Sequence, residues 1–273
     1  MSIEELVLAA ESKLKELKDG PATELLNKAL SMDPGYSRAH LLLGIHAFNR
    51  VKYAEAITHL EKAIERDPYL DDAHYYLALS QWKTGKLAQA ERNLYYIWPS
   101  SGYYPDREYN LGRIAYVGGK LAEAQAHLEK AVAVNGYHLS ARVLLALLAR
   151  QQGHKEAALR QVAEIERIDP TSALAQAEKW LLTGSAESKA ELLRLLGGQS
   201  QEALDAATIY RQIHRYGDAA KILKLVADNN RDPFGTPAEF YYSLAFFLAH
   251  SGAQAEAAPY LAKARAAGAN MDR

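Results

Sequence analysis

Apolar residues recur at every third or fourth position along almost the whole chain, and short breaks of Gly, Asp-Pro or Asn-Gly separate the periodic stretches. This spacing predicts amphipathic helices joined by tight turns, and few stretches alternate as a strand would. Three breaks carry one stop signal: "LSMDPGY" (30–36), "IERDPYL" (64–70) and "IERIDPTS" (165–172).

The distance between stops is more informative. Leu43-Gly44 is followed 34 residues on by Leu77-Ala78, then by Leu111-Gly112 and Leu145-Ala146. A small residue recurs twelve positions after each (Ala56, Ala90, Ala124, Ala158), and an apolar one four later (Leu60, Leu94, Leu128, Val162). Three further on stand Ala63, Ile97, Ala131 and Ile165. Gly85, Gly119 and Gly153 mark a turn between two helical halves, and Val51 takes that place in the earlier unit. Pro34, Pro68 and Pro170 close units, while Gly102 and Gly136 stand at the other two boundaries. Small residues at two fixed points let paired helices approach closely. A single pair cannot bury its apolar face, so stacked pairs must cover one another.

These residues resemble the tetratricopeptide repeat: a large residue, Leu-Gly, a small residue in the second helix, an apolar residue, then Pro. The resemblance implies an all-α, right-handed superhelical solenoid of about eight antiparallel helix pairs. Units begin near Ile3, Ser37, Asp71, Pro105 and Leu139, so residues 1–172 are expected to hold five regular repeats. Residues 173–199 read as a degenerate repeat or joint: "WLLTGSAESKAELLRLLGG" has a shortened turn and lacks the small-residue column. Two further repeats follow in 200–273, carried by Ala207, Tyr210, Ala219, Leu223 and Val226 and by Leu244, Ala245, Gly252, Ala257, Leu261 and Ala264. A longer loop, "DNNRDPFGTP" (228–237), separates them. The joint reads either as a change of curvature or as a plain loop deletion. A second resemblance is to the helical arrays at the C-terminal end of large bacterial proteins that carry a sugar-enzyme-like domain. "DPTSALAQAEKWLLTG" and "EFYYSLAFFLAHSG" carry it. It implies an accessory, packing or dimerisation module.

The family places the first helix of each pair on the concave side. Positions 2, 5, 9, 12 and 13 of a unit share one helical face. They gather Phe48 and Asn49, then Asp72, Tyr75, Trp82 and Lys83, then Asp106, Tyr109, Arg113 and Tyr116, then Arg150. Rings with a few cations suit an extended peptide, or the flat face of a sugar, with charge to hold a carboxylate. The other reading is that these rings fill the space between successive first helices. The stretch "YYIWPSSGYYPDREYN" (95–110) concentrates six aromatics. Of these, Trp98 is expected to plug the seam to the next unit after Pro99 ends its helix early. At least one of Tyr95 and Tyr96 must face outward. A chaperone-tail carboxylate clamp is not expected, because Leu41 and Ile45 stand where polar residues are wanted and Asn110 and Arg113 do not suffice.

Composition narrows the chemistry. Charged residues make up 24% of the 273 residues and the net charge is −1, the balance of a folded protein without a general affinity for nucleic acid. There is no Cys, which excludes disulfides, thiolate metal sites and thiol catalysis. No phosphate loop, zinc-protease or nucleophile-elbow motif appears, so a non-catalytic protein without cofactors is expected. His40 and His74 share a column, which is either two weak metal ligands or column filling. No apolar run is long enough to span a bilayer and the first residues carry early acid, so a cytoplasmic protein is expected. Ser2 and Glu5 have capping-box spacing. Ala257, Leu261 and Ala264 on the last helix are expected to await a further neighbour, through a homodimer or a longer parent chain.

Overall fold

The computed structural model describes residues 1–197, 200–229 and 238–268. They form 16 helices: α1 (Ile3–Lys15), α2 (Asp19–Met32), α3 (Ser37–Asn49), α4 (Tyr53–Arg66), α5 (Asp71–Lys83), α6 (Leu87–Tyr95), α7 (Tyr104–Val117) and α8 (Leu121–Val134), followed by α9 (Leu139–Gln151), α10 (Lys155–Ile168), α11 (Ala173–Thr183), α12 (Ala186–Leu195), α13 (Ser200–Gln212), α14 (Tyr216–Asn229), α15 (Ala238–His250) and α16 (Gln254–Ala266). There is no strand among the described residues. The architecture is an all-α helical repeat built from hairpins of successive helices. First helices start at Ile3, Ser37, Asp71, Tyr104 and Leu139, within a residue of the positions the 34-residue period marks. Most of the long 228–237 loop lies outside the described residues.

Two compact units are distinguished, Met1–Ile114 and Ala115–Arg273. In the first, each hairpin closes on itself (α1 with α2, α3 with α4, α5 with α6) and meets the next through α2·α3, α4·α5 and α3·α5. In the second, α9 packs on α8, α10 and α11, and α13 on α14 and α15. Contact with the next element and the next but one is the stacking that buries a face no single pair could bury. The small-residue columns do the work expected of them: Ala56, Ala90, Ala124 and Ala158 are at most 1% exposed. Gly44 lies so close to α4 that a Cβ there would stand 2.5 Å from Leu60 Cγ.

Stops and turns have separate mechanisms. At the unit boundaries Asp33, Asp67, Asn135 and Asp169 each accept, on the side-chain oxygen, the backbone N–H two residues on, at 3.0–3.2 Å. This bond competes with helix continuation and explains why Asp-Pro and Asn-Gly end the periodic stretches. Within a hairpin the helix ends on a left-handed residue, and the N–H after it bonds back into the last turn: Lys52 to the Ala47 carbonyl at 2.9 Å, Lys86 to that of Gln81 at 2.8 Å, His154 to that of Ala149 at 2.8 Å. Gly85, Gly119 and Gly153 take the left-handed place with φ of 75–78°, but Leu17 and Val51 occupy it with φ of 58° and 62°. A β-branched residue there crowds its own backbone. Val51→Gly is therefore expected to stabilise the protein by about 1 kcal/mol, seen as a higher urea midpoint with unchanged slope.

Ser2 and Glu5 close their capping box: the Glu5 N–H donates to Ser2 Oγ at 3.2 Å and the Ser2 N–H to Glu5 Oε2 at 2.8 Å. At the other end Ala257 and Ala264 do not wait for a neighbour. They are 6% and 0% exposed, already covered within the second unit, while Leu261 is half-buried.

Candidate functional site

The column that holds His40 and His74 is structural. The Nε2–H of each donates to the carbonyl of the proline six residues earlier, Pro34 and Pro68, at 2.9 Å. Their other nitrogens meet residues nineteen further on, His59 at 3.0 Å and Asn93 at 3.1 Å. Arg142, in the same column, repeats both reaches, to the Gly136 carbonyl at 2.9 Å and to Gln161 at 3.1 Å. In these three hairpins one polar side chain thus ties the stop loop to both helices. Burial, with the neighbouring His40, pushes the His59 imidazole below its ordinary pKa. Among the described residues no group of three or more His, Asp or Glu could hold a metal ion. No described helix is long and apolar enough to cross a membrane.

The aromatic stretch 95–110 divides differently from expectation. Trp98 does not plug the seam: it is 59% exposed, on a turn closed by the Ser101 N–H to the Trp98 carbonyl at 3.0 Å. Ile97, 1% exposed, fills the seam instead, packed with Leu94, Leu111 and Ile114. The apolar column already ran through Ile97, and a side chain one residue further along necessarily points elsewhere. Tyr95 and Tyr96 both face outward, at 51% and 61% exposed. Tyr96 lies flat on the His74 ring, centroids 4.8 Å apart. Helix α6 is nine residues against fourteen in α4, the early ending expected from Pro99.

The first unit carries a run of touching rings, mostly from its first helices. Tyr53 meets Phe48 at 5.6 Å, Phe48 meets Tyr76 at 5.4 Å, Tyr76 meets Tyr75 at 5.5 Å, and Tyr75 stacks on Tyr103 at 4.6 Å. Phe48, Tyr75, Tyr76, Trp82, Tyr103 and Tyr109 are half-buried, and the first five pack against the core of the first unit. Asn49 and Lys83 are exposed at the ends of α3 and α5. Tyr53, Tyr76 and Tyr103 are absent from the sequence expectation. The first is on a second helix, the second is one residue out of the chosen register, and the third precedes its helix.

Arg113 is 6% exposed and lies between two of these rings, 4.5 Å from the Trp82 centroid and 5.3 Å from that of Tyr109. Its Nη1–H donates to Asn110 Oδ1 at 2.8 Å, and the Asn110 amide donates to the Asp106 carbonyl at 2.7 Å. The guanidinium is therefore part of the wall rather than a free anchor for a carboxylate. Burial and the nearby Asp106 raise the Tyr75 hydroxyl well above its ordinary pKa, and burial, Asp72, Tyr76 and Asp106 push that of Tyr103 up to about 12. Both phenols stay protonated and keep a donor to offer.

Tyr116 and Arg150, placed on the same face by register, go into the interior of the second unit. Tyr116 is 7% exposed and its hydroxyl donates to Gln151 Oε1 at 2.6 Å. Arg150 grips Glu178 with two hydrogen bonds, at 2.9 and 3.2 Å, and reaches Asp218 at 3.0 Å. Tyr210 donates to Glu178 at 2.9 Å and Arg215 to Asp218 at 2.8 Å. Burial opposes the charge of Arg150, but Glu178 and Asp218 more than offset it and hold the guanidinium protonated. The acids come from α11 and α14, far along the chain, where helix period gives no hint of the pairing.

Residues 109–173 match a family model described as Tetratricopeptide repeat, and residues 50–85 one described as TPR repeat. No curated protein matches the chain. Among solved structures, a tetratricopeptide repeat protein from Parabacteroides merdae is 15% identical, covers 99% of this chain and 94% of its own, and superposes with a TM-score of 0.63. PilW, a widely conserved type IV pilus biogenesis factor, is 15% identical over 81% of this chain and 98% of its own, with a TM-score of 0.58. YrrB, a TPR protein with an unusual peptide-binding site, is 18% identical over 70% of this chain and 96% of its own, with a TM-score of 0.51. At these identities the likeness is one of fold.

Proposed function

We propose, from the premise that the chain belongs to the tetratricopeptide-repeat family, that it is a non-catalytic scaffold that binds a protein or peptide through the first-helix face of its first unit. The observation that carries this reading is the run of rings from Tyr53 to Tyr103, half-buried and in mutual contact. Its inner sides rest on the core, so little side-chain entropy remains to be lost when a ligand covers the outer sides. The contact residues are Phe48, Asn49, Tyr75, Trp82, Lys83 and Tyr109, joined by Tyr76 and Tyr103. Arg113 holds Trp82 and Tyr109 in place from behind. Tyr116 and Arg150 have no part in it, being used inside the second unit. YrrB, with its peptide-binding site on a related fold, supports the reading by analogy.

A photo-crosslinking residue placed at Tyr75 in the full chain, expressed in its native host, is expected to give a discrete protein adduct. The same residue at Tyr137, which is 72% exposed in the second unit, is expected to give none. Tyr103→Ala should weaken capture about tenfold, the size of effect found at an aromatic hot spot. Adducts at Tyr137 alone, or capture unaffected by Tyr103→Ala, would count against this face.

A further inference from the structure

The charge around the rings is less positive than the sequence suggests, although Lys83 is exposed at the end of α5. Two of the expected cations are committed internally: Arg113 lies between Trp82 and Tyr109 and bonds Asn110, and Arg150 bonds Glu178 and Asp218 in the other unit. Asp72 and Asp106 bring carboxylates to the Tyr75–Tyr103 stack, while the buried Arg113 acts in the opposite sense on Tyr75 alone. Asp72 sits in the first turn of α5, three residues before Tyr75 and four before Tyr76. Asp106 occupies the equivalent place in α7, three residues after Tyr103. The fields of both reach the Tyr103 hydroxyl. Burial and the adjacent Asp71 push the Asp72 carboxyl above its ordinary pKa, and no described cation offsets its charge. A half-buried carboxylate without a counter-ion gains from any cation that reaches it.

We propose that the occupant of this face is a basic peptide segment, with a lysine or arginine side chain lying over the stacked Tyr75 and Tyr103 rings and its charge directed to Asp72 and Asp106. The inference rests on the proposed binding function and adds its charge sense. A cation over a tyrosine face is attracted by the ring quadrupole, and a carboxylate beside the ring adds a direct charge pair. The aliphatic stem of the same side chain covers the ring edges. An acidic segment, or a C-terminal carboxylate, meets Asp72 and Asp106 with like charge and is disfavoured.

The test uses the full chain with fluorescein-labelled hexalysine and hexaglutamate peptides, read by anisotropy. Hexalysine should bind and hexaglutamate should not. Asp72→Asn combined with Asp106→Asn should weaken hexalysine about tenfold, and so should Tyr103→Leu, while thermal unfolding by circular dichroism shows each variant folded. Raising salt from low to moderate ionic strength should weaken the wild-type complex more than the double variant. The proposal is overturned if hexaglutamate binds as well as hexalysine, or if the folded double variant binds hexalysine unchanged. It is also overturned if the face is covered by a second copy of the chain, seen as a dimer that the Asp changes do not affect. Failure of hexalysine while Tyr75 still cross-links a partner removes only the charge assignment. Loss of the cross-link removes the binding function itself.

Discussion

Replacing Arg150 with Met is expected to destabilise the second unit by about 3–5 kcal/mol, the cost of leaving buried charge without its partner. Glu178 and Asp218 are 1% and 4% exposed, so water cannot take over the lost bonds. Asp218 keeps Arg215 at 2.8 Å, whereas among the described residues Glu178 keeps the Tyr210 hydroxyl at 2.9 Å and no cation. Glu178 should therefore carry most of the damage. Adding Glu178→Gln to Arg150→Met should recover part of it, because a neutral amide needs no counter-ion there. Urea unfolding followed by circular dichroism measures both steps. A loss below about 1 kcal/mol for Arg150→Met would place the pair among screened surface pairs and contradict its burial. The two acids of this network respond to pH in opposite senses: burial pushes the Glu178 carboxyl above its ordinary pKa despite Arg150, and Asp218 supplies the acid-sensitive part. Burial opposes the Asp218 charge, but Arg150 and Arg215 overcome it and hold the carboxyl below its ordinary pKa. A depressed carboxyl contributes stability above its unfolded pKa and loses it as pH falls through the folded value. This contribution is therefore present at neutral pH and disappears in acid.

The second large effect is expected at the crossing of α3 and α4. Gly44→Leu should cost about 3 kcal/mol, even though leucine is the better helix former. A Cβ at that position would lie 2.5 Å from Leu60 Cγ, 2.8 Å from its Cδ2 and 3.3 Å from its backbone nitrogen. Leu60 is fully buried, so it has nowhere to turn, and the helices must separate. Gly44→Ala should do less harm, because Ala78 and Ala146 fill the equivalent column elsewhere. Combining Gly44→Ala with Leu60→Ala should cost less than the sum of the two changes, since the smaller side chain leaves room for the new methyl. Strict additivity in that cycle would mean the two residues do not compete for space.

The helix pairs were legible because most hairpins repeat the same physical demands at the same spacing. Close approach needs a small residue at the crossing, a left-handed residue ends the first helix, and at four boundaries an Asp or Asn stops the second. Repetition averages away exceptions such as Val51, which takes a glycine's place without changing the period. The faces were legible to the extent that helical register decides them. Phe48, Tyr75, Trp82 and Tyr109 are placed on the first-helix side by residue number alone and lie half-buried there.

What register cannot determine is how deeply a face is covered, and which distant group meets it. Tyr116 and Arg150 have the same register as Trp82, yet Tyr116 is buried, and Arg150 is taken up by Glu178 and Asp218, which α11 and α14 supply from 28 and 68 residues beyond it. Trp98 lies in water and Ile97 in the seam, as the repeat column through Ile97 implied once it is given precedence over the ring size of Trp98. The sequence by itself therefore determined the repeat, its turns and the side of each helix that carries aromatics, since these depend on local spacing. The tertiary structure alone decided which cations remain available and left Asp72 without an offsetting one, because charge pairing depends on distance in space.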